Sequence, residues 1–374
     1  MFMSYMEPTA HEMALRMDLV ERFTKLIASF KINATVRPVG SYVTGLYLPT
    51  SDIDMVLTFE TGTTGSYGLM SMPSSYSKYE LSSVLSKIQA SGFATKVDNV
   101  LQASVPLIRI TDKKTGLEID LTAADTHGVK ATEAVLKWTK EDGELVKALI
   151  TVVKMFLGIR KCGTTYTGGI NSYVLVWMVV AWVHLEWPAV KEKARQMSTM
   201  DDNDLSGLTS ALQVLSVHNT TINSGRAPHR ATGIAGTSTA RPVRLQMPED
   251  FGNALKAFLK FYGESFDYYT RAIKIEPKPA YQIKTYRYSR YPRTQQYLLS
   301  ITDPVDSSID MGEKAYAIKH VQASFKDAYK TISRLEKVPP REYAGLGVLG
   351  IVLEADFTDF MAKRKRFSQS KLRV

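Results

Sequence analysis

The sequence predicts an α+β fold, a small mixed sheet backed on one face by helices and followed by a body made mainly of helices. Three observations carry this. Before Ala124 the apolar patterning runs in the order helix, two strands, helix, three strands. Beyond Asp125 it turns to long helical stretches. With 374 residues, 44% of them hydrophobic, the chain is long enough for two domains or for one large domain with insertions.

Taken in order, Thr9 to Phe30 place Met13, Leu15, Leu19, Val20, Phe23, Leu26 and Ile27 at helical spacing. Ala34 to Val39 read as a short strand that delivers Gly40-Ser41, and Ile53 to Phe59 as a second strand. Thr61 to Ser75 is rich in Gly, Thr, Ser and Pro and reads as a surface loop. Tyr79 to Gln89 reads as a helix stopped by Gly92. Phe93 to Leu101, Val105 to Thr111 and Leu117 to Ala123 are three strands, with Asp112 to Gly116 as a hairpin turn. The helices expected next are Glu133 to Lys140, Gly143 to Arg160 and Ser172 to Trp187. Leu205 to Pro248 holds Arg226, Arg230, Arg241 and Arg244 but no acid, and reads as a long inserted loop. It either touches RNA phosphates or carries no ligand. Phe251 to Tyr262 resumes a helix, Ala272 to Ile275 and Gln296 to Ser300 are short strands, and Ala315 to Leu335 is a helix. Tyr286 to Arg293 interleaves rings and guanidinium groups, as either a single-strand binder or a solvated loop.

The chemistry is concentrated in Val39 to Leu57. On a strand, Asp52 and Asp54 point one way while Ile53 and Met55 point into the core. Two carboxylates side by side against a buried sheet are costly as bare charges, and a divalent cation removes that cost. Oxygen-only ligands suit Mg²⁺, which also binds substrate phosphates. Gly40 and Ser41 supply the N–H groups and hydroxyl that cradle phosphate. Asp120, between Ile119 and Leu121, faces away from its apolar neighbours and completes three carboxylates, the protein share of a two-metal nucleotidyl transfer site. Lys154 interrupts the apolar helix Leu149 to Leu157, so its amine is expected in a cleft. Tyr166-Thr-Gly-Gly-Ile-Asn-Ser-Tyr173 is either an ordinary helix cap or a second anion-binding turn. In the second reading, favoured by Lys154, Ser172 stands at the helix start and Tyr173 offers a face for a base.

Charge points to a polyanion. The chain has 47 Lys+Arg against 37 Asp+Glu, a net +10. Six basic residues and no acid lie in the segment 361–374, which leaves the body only mildly basic and argues against a high-affinity RNA surface on the body alone. That segment has three readings: a nuclear localisation signal, an RNA phosphate contact or a solvated tail. A single cysteine, Cys162, excludes an internal disulfide and a Cys-rich zinc module and suggests an intracellular, reducing setting. The N-terminus mixes charges as no secretory signal does. The most apolar run, Val174 to Val183, is too short to span a membrane and reads as a buried core helix.

In this order the motifs resemble the noncanonical poly(A) polymerases, members of the DNA polymerase β-like nucleotidyltransferases, and in particular the nuclear TRAMP type of RNA surveillance. The resemblance rests on Gly-Ser followed by Leu-Pro-x-Ser-Asp-Ile-Asp, the third Asp, Lys154, Tyr-Thr-Gly-Gly-Ile-x-Ser-Tyr, Phe-Tyr-Gly-x-x-Phe-Asp-Tyr and Asp-Pro-x5-Asp-x-Gly. It implies a nucleotidyltransferase lobe at 20–128 and a helical PAP-associated central domain formed by 1–19 with 129–360, with a cleft between them. It leaves 205–248 as a flexible insertion and 361–374 as a basic tail. By resemblance Asp52, Asp54 and Asp120 hold two Mg²⁺ ions, for which Mn²⁺ substitutes, and Asp120 helps activate the RNA 3′-hydroxyl. Ser41 and Lys154 contact the triphosphate of ATP, Ser172 supports it, and Tyr173 stacks on the base. Thr132 falls where relatives contact the ribose, though the usual preceding Asn is Ala131. The loop Asp303 to Gly312 lies beside the base, where Asp303 or Asp310 accepts from the adenine amine. Ile309 stands where uridylyltransferases place His, which favours AMP over UMP. A zinc-knuckle RNA-binding protein and an RNA helicase are the implied partners. A terminal uridylyltransferase, a transferase that works without an RNA acceptor and an inactive scaffold are the alternatives.

Overall fold

The computed structural model describes residues 6–59, 74–103, 105–123, 127–196, 250–284, 295–339, 350–352 and 357–369. The expected insertion at 205–248, the aromatic run at 286–293, nearly all of the loop at 61–75 and residues 370–374 lie outside the described residues.

The first helix, α1 (Ala10–Ser29), starts where the sequence marks it. Thr9 Oγ1 accepts from the Glu12 N–H at 3.1 Å and the Glu12 carboxylate accepts from the Thr9 N–H at 2.7 Å, a reciprocal capping box. It leads to β1 (Ala34–Pro38), a one-turn helix α2 (Gly40–Thr44) and β2 (Ile53–Phe59). Then follow α3 (Ser74–Ala90), β3 (Ala94–Val100), β4 (Leu107–Asp112) and β5 (Glu118–Ala123). The five strands form one sheet in the order β1-β2-β5-β4-β3, in which only β2 and β5 run parallel. Strand alternation sends Ile53, Met55, Leu57, Ile108, Ile110, Ile119 and Leu121 to one face. There they pack against Leu15, Leu19, Phe23 and Ile27 of α1 and Leu81, Val84 and Ile88 of α3. Each such buried aliphatic side chain contributes roughly 1.5–3 kcal/mol. The other face is left for function.

The helical body comprises α4 (His127–Glu141), α5 (Gly143–Ile159), α6 (Ser172–Leu185), α7 (Trp187–Gln196) and α8 (Phe251–Lys260), which continues as a π turn to Ser265. The hairpin β6 (Arg271–Lys274) and β7 (Ala280–Ile283) follows, then α9 (Ile318–Leu335) and α10 (Thr358–Gln369). Its core is aromatic: Trp182 meets Phe258 edge-on at 5.6 Å, and Phe325 contacts both Phe258 and Phe156. No single helix among the described residues is long and apolar enough to cross a membrane, and only the bent pair α6 and α7 passes that test jointly.

Several expectations shift. Gly40-Ser41 sit not in an open turn but in α2, because Val39 stays extended and Gly40 takes φ +64°. Helix α4 begins at His127 rather than Glu133: Gly128 weakens the local signal, and packing against α2 overrides it. Gln296 to Ser300 form no strand. The partner of β6 is β7, joined across a Pro-containing turn, while Ile301 makes only an isolated bridge to Ile273. The division at residue 20 cuts through α1, whose buried stripe belongs wholly to the sheet core, and only Met6 joins the helical core. The segment after Met361 is no free tail as far as Gln369. In α10, Phe367 enters the sheet core, and Arg364 is buried in a two-pronged pair with Glu12, both contacts at 2.7 Å.

Candidate active site

The parallel register of β2 and β5 sets Asp54 directly beside Asp120 on the open face of the sheet. Asp52 enters from the turn just before β2. Burial, then the neighbouring Asp52 and Asp120, push Asp54 up to about 7, and burial followed by Asp120 raises Asp52. Gly40 presses against this pair: a Cβ there would stand 2.7 Å from Asp54 Oδ2, so the position requires glycine on both φ and space. From the other lobe, α5 delivers Lys154, whose Nζ donates to the Leu46 carbonyl at 3.1 Å. Desolvation lowers this amine to about 8 against the pull of Asp52 and Asp54.

A cavity of about 590 Å³ opens between the lobes. Gly40, Ser41, Asp52, Asp54, Thr132, Lys154, Ser172 and Tyr173, all nominated from sequence, line it. Ser172 stands at the start of α6, where Asn171 caps by accepting from the Val174 N–H at 2.9 Å. The preceding turn folds so tightly that a Cβ on Gly169 would lie 2.0 Å from the Cys162 carbonyl oxygen.

Three nominated residues do not line the cavity. Asp120 is gripped by Arg109, whose Nε and Nη2 donate to its two oxygens at 2.8 and 2.7 Å. Among the described residues no three acidic, His or Cys side chains are grouped as a ready metal cage. Asp303 is buried one layer behind, accepting from the Tyr173 hydroxyl at 3.3 Å and the Val305 N–H at 2.7 Å and pairing with His127 Nε2 at 3.0 Å. Asp310 accepts from the N–H groups of Ile301 and Gly312, both at 3.0 Å, and from the Ser300 hydroxyl at 2.7 Å, so it braces its own loop. Thr132 lines the cavity, yet its hydroxyl is engaged: it accepts from the Gly40 N–H at 2.9 Å and donates to the Gly128 carbonyl at 2.8 Å. That N–H is thus held by Thr132 rather than presented to a phosphate.

The donor set suits a divalent cation. It is oxygen only, and burial together with the neighbouring carboxylates disfavours the charged form of Asp54, a cost that a bound cation offsets.

Three residues at the site went unremarked in the sequence reading. Arg16 is fully buried, donates through Nη2 to the carbonyls of Pro49 and Ser51 at 2.9 and 2.6 Å, and so fixes the turn before Asp52. Its signal was a charge set within the buried stripe Glu12, Arg16, Leu19, Phe23, Ile27. Arg109 was announced by the alternation Ile108-Arg109-Ile110, which turns it to the face of Asp120. His127, edge-on to Tyr173 at 6.4 Å, had no local signal.

Comparisons with known proteins bear on the fold. The family described as Poly(A) RNA polymerase, mitochondrial-like, central palm domain matches residues 1–139, and the Cid1 family poly A polymerase matches residues 250–308. Poly(A) RNA polymerase protein 2 of Saccharomyces cerevisiae is 23% identical over 94% of this chain, which spans 50% of that relative's length. The inactive poly(A) RNA polymerase protein Trf4-2 of Drosophila melanogaster is 25% identical over 89% of this chain and 67% of its own. Among solved structures, the polymerase core of TRAMP, an RNA surveillance complex, superposes with a TM-score of 0.67 at 22% identity, covering 94% of this chain and 91% of that one. By these matches the chain resembles a poly(A) RNA polymerase palm over residues 1–139 and a Cid1-type poly A polymerase over residues 250–308, and it has the fold of the TRAMP polymerase core.

Proposed function

We propose that this chain extends RNA 3′ ends without a template, adding AMP from ATP. The observation that carries the reading is the single cavity on which Asp52 and Asp54 of one lobe face Lys154, Ser172 and Tyr173 of the other. The acceptor is an RNA 3′-hydroxyl, which attacks the α-phosphate in line as pyrophosphate leaves. Asp52, Asp54 and Asp120 would hold two Mg²⁺ ions, with Mn²⁺ able to replace them. These ions supply acidification of the attacking hydroxyl and charge neutralisation at the leaving group. Lys154 and Ser41 bind the triphosphate, and Lys154 gives up its bond to the Leu46 carbonyl to do so. Ser172 supports the phosphates at the N-terminus of α6. Tyr173 packs on the base and is held by Asp303 through its hydroxyl. With both oxygens of Asp303 engaged by Tyr173, His127 and backbone N–H groups, its part is to fix the base wall, and the part of Asp310 is to brace the recognition loop. Ile309, partly exposed on that loop, offers no hydrogen bond to a uracil.

The setting we propose is nuclear RNA surveillance, with a zinc-knuckle RNA-binding protein and an RNA helicase supplying the RNA affinity that the mildly basic body lacks. The test is incubation of the purified chain with labelled oligo(A), Mg²⁺ and each nucleotide in turn. Extension by ATP above the other three is expected. Preference for UTP makes the chain a uridylyltransferase, product without RNA moves the acceptor elsewhere, and no extension with any nucleotide makes it a scaffold.

A further inference from the structure

On the open face of the sheet, four charged residues stand in one row across four strands. The register pairs Asp54 of β2 with Asp120 of β5, Asp120 with Arg109 of β4, and Arg109 with Asp98 of β3. Directly opposed residues share a face, so Arg109 stands between two carboxylates and Asp120 stands between a like charge and an opposite one. The guanidinium takes both oxygens of Asp120, at 2.8 and 2.7 Å. Its side chain is 42% exposed, while that of Asp120 is 10% exposed. Asp98 lies on the outer side, 38% exposed and paired with Lys96 at 2.8 Å.

This arrangement has a definite chemical consequence. Asp120 beside Asp54 needs a positive neighbour, and each of its oxygens already accepts from one. A divalent ion drawing on Asp120 must compete with that fork, whereas an ion drawing on Asp52 and Asp54 alone need not. Arg109 loses little on release, because Asp98 waits on the next strand and the surface is open to water.

We propose that Arg109 is the resident counterion of the third carboxylate, surrendering Asp120 to an incoming divalent cation and turning to Asp98, so that this arginine sets the cation affinity of the site. The inference rests on the functional reading above. Arg109 is a positioning residue here, acting through Asp120.

The test is Mn²⁺ binding to the whole chain, followed by the electron paramagnetic resonance signal of the free ion. Arg109→Gln is expected to tighten the weaker binding event by about two- to fivefold, the size of a partly exposed ion pair. Asp98→Asn removes the alternative partner and is expected to weaken it by about twofold. Arg109→Lys, which keeps the charge without the fork, should fall between wild type and Arg109→Gln and guards against a folding defect in the glutamine variant. Unchanged or weaker Mn²⁺ binding in both Arg109 variants overturns the inference, since the fork would then orient Asp120 for the ion. Failure of the wild type to bind Mn²⁺ any better than Asp54→Asn sinks the functional reading instead.

Discussion

Strand β4 takes part in two forked arginine–carboxylate pairs, one on each face of the sheet, and they behave as opposites. On the core side, Asp112 receives Arg22 of α1 at 2.9 and 2.8 Å, together with the N–H and hydroxyl of Thr115 at 2.9 and 2.6 Å. Burial alone would raise this carboxyl, but Arg22 and Thr115 hold it below its ordinary value. On the open side, Arg109 grips Asp120 at similar distances, side-on through Nε and Nη2 where Arg22 binds end-on through both Nη atoms, yet the next neighbour is Asp54, another acid. The same fork is a fastening where the acid is surrounded by donors and a placeholder where it is surrounded by acids. Local environment, rather than bond length, separates the two.

The largest effect that would break this contrast is at Asp54. Asp54→Ala is expected to lower primer extension by more than about a thousandfold. Thermal stability without added metal should hold or rise, because a like charge beside Asp120 is gone. A steep loss of stability would class Asp54 with Asp112. Next, Asp112→Ala should cost about 2 kcal/mol in urea unfolding, since the buried N–H and hydroxyl of Thr115 lose their acceptor and Arg22 keeps only Asp18, while the activity of the folded fraction stays near wild type. Smallest is the acid dependence. The Asp112 pKa is lower in the folded chain than unfolded, so its stabilisation is complete above the ordinary value of 3.8 and is lost as pH falls through the folded value. Acid unfolding curves should therefore be shallower below that pH for Asp112→Asn than for wild type.

Asp52, Asp54 and Lys154, which line the cavity, were legible in the sequence because each breaks a local rule. A carboxylate in an apolar strand, or an amine in an apolar helix, demands a cleft. Arg109 was also within reach, since the turn from Asp112 to Gly116 sets the hairpin register that brings it opposite Asp120. Arg16 and the pair His127–Asp303 were not, because they join segments 33 and 176 residues apart and depend on how the lobes meet. The basic segment misled for a related reason. From sequence it reads as a localisation signal, an RNA contact or a solvated tail, yet an acid from the other end of the chain, Glu12, buries Arg364. Likewise, Gln296 to Ser300 has strand-like composition, but only its end reaches the free edge of β6, where the Ile273 N–H donates to the Ser300 carbonyl at 2.9 Å beside the isolated bridge to Ile301.

The turn that leads into β2 has a consequence for modularity. Leu46 and Leu48 are buried in the helical core, although the residues on either side of them belong to the catalytic lobe. Lys154 holds the turn from the helical body, and Arg16 holds it from α1. The two lobes are therefore stitched through the very loop that presents Asp52. A catalytic lobe cut free along its apparent boundary would carry two stranded leucines and a slack loop at its centre. Any hinge motion of the cleft would likewise pull first on Asp52.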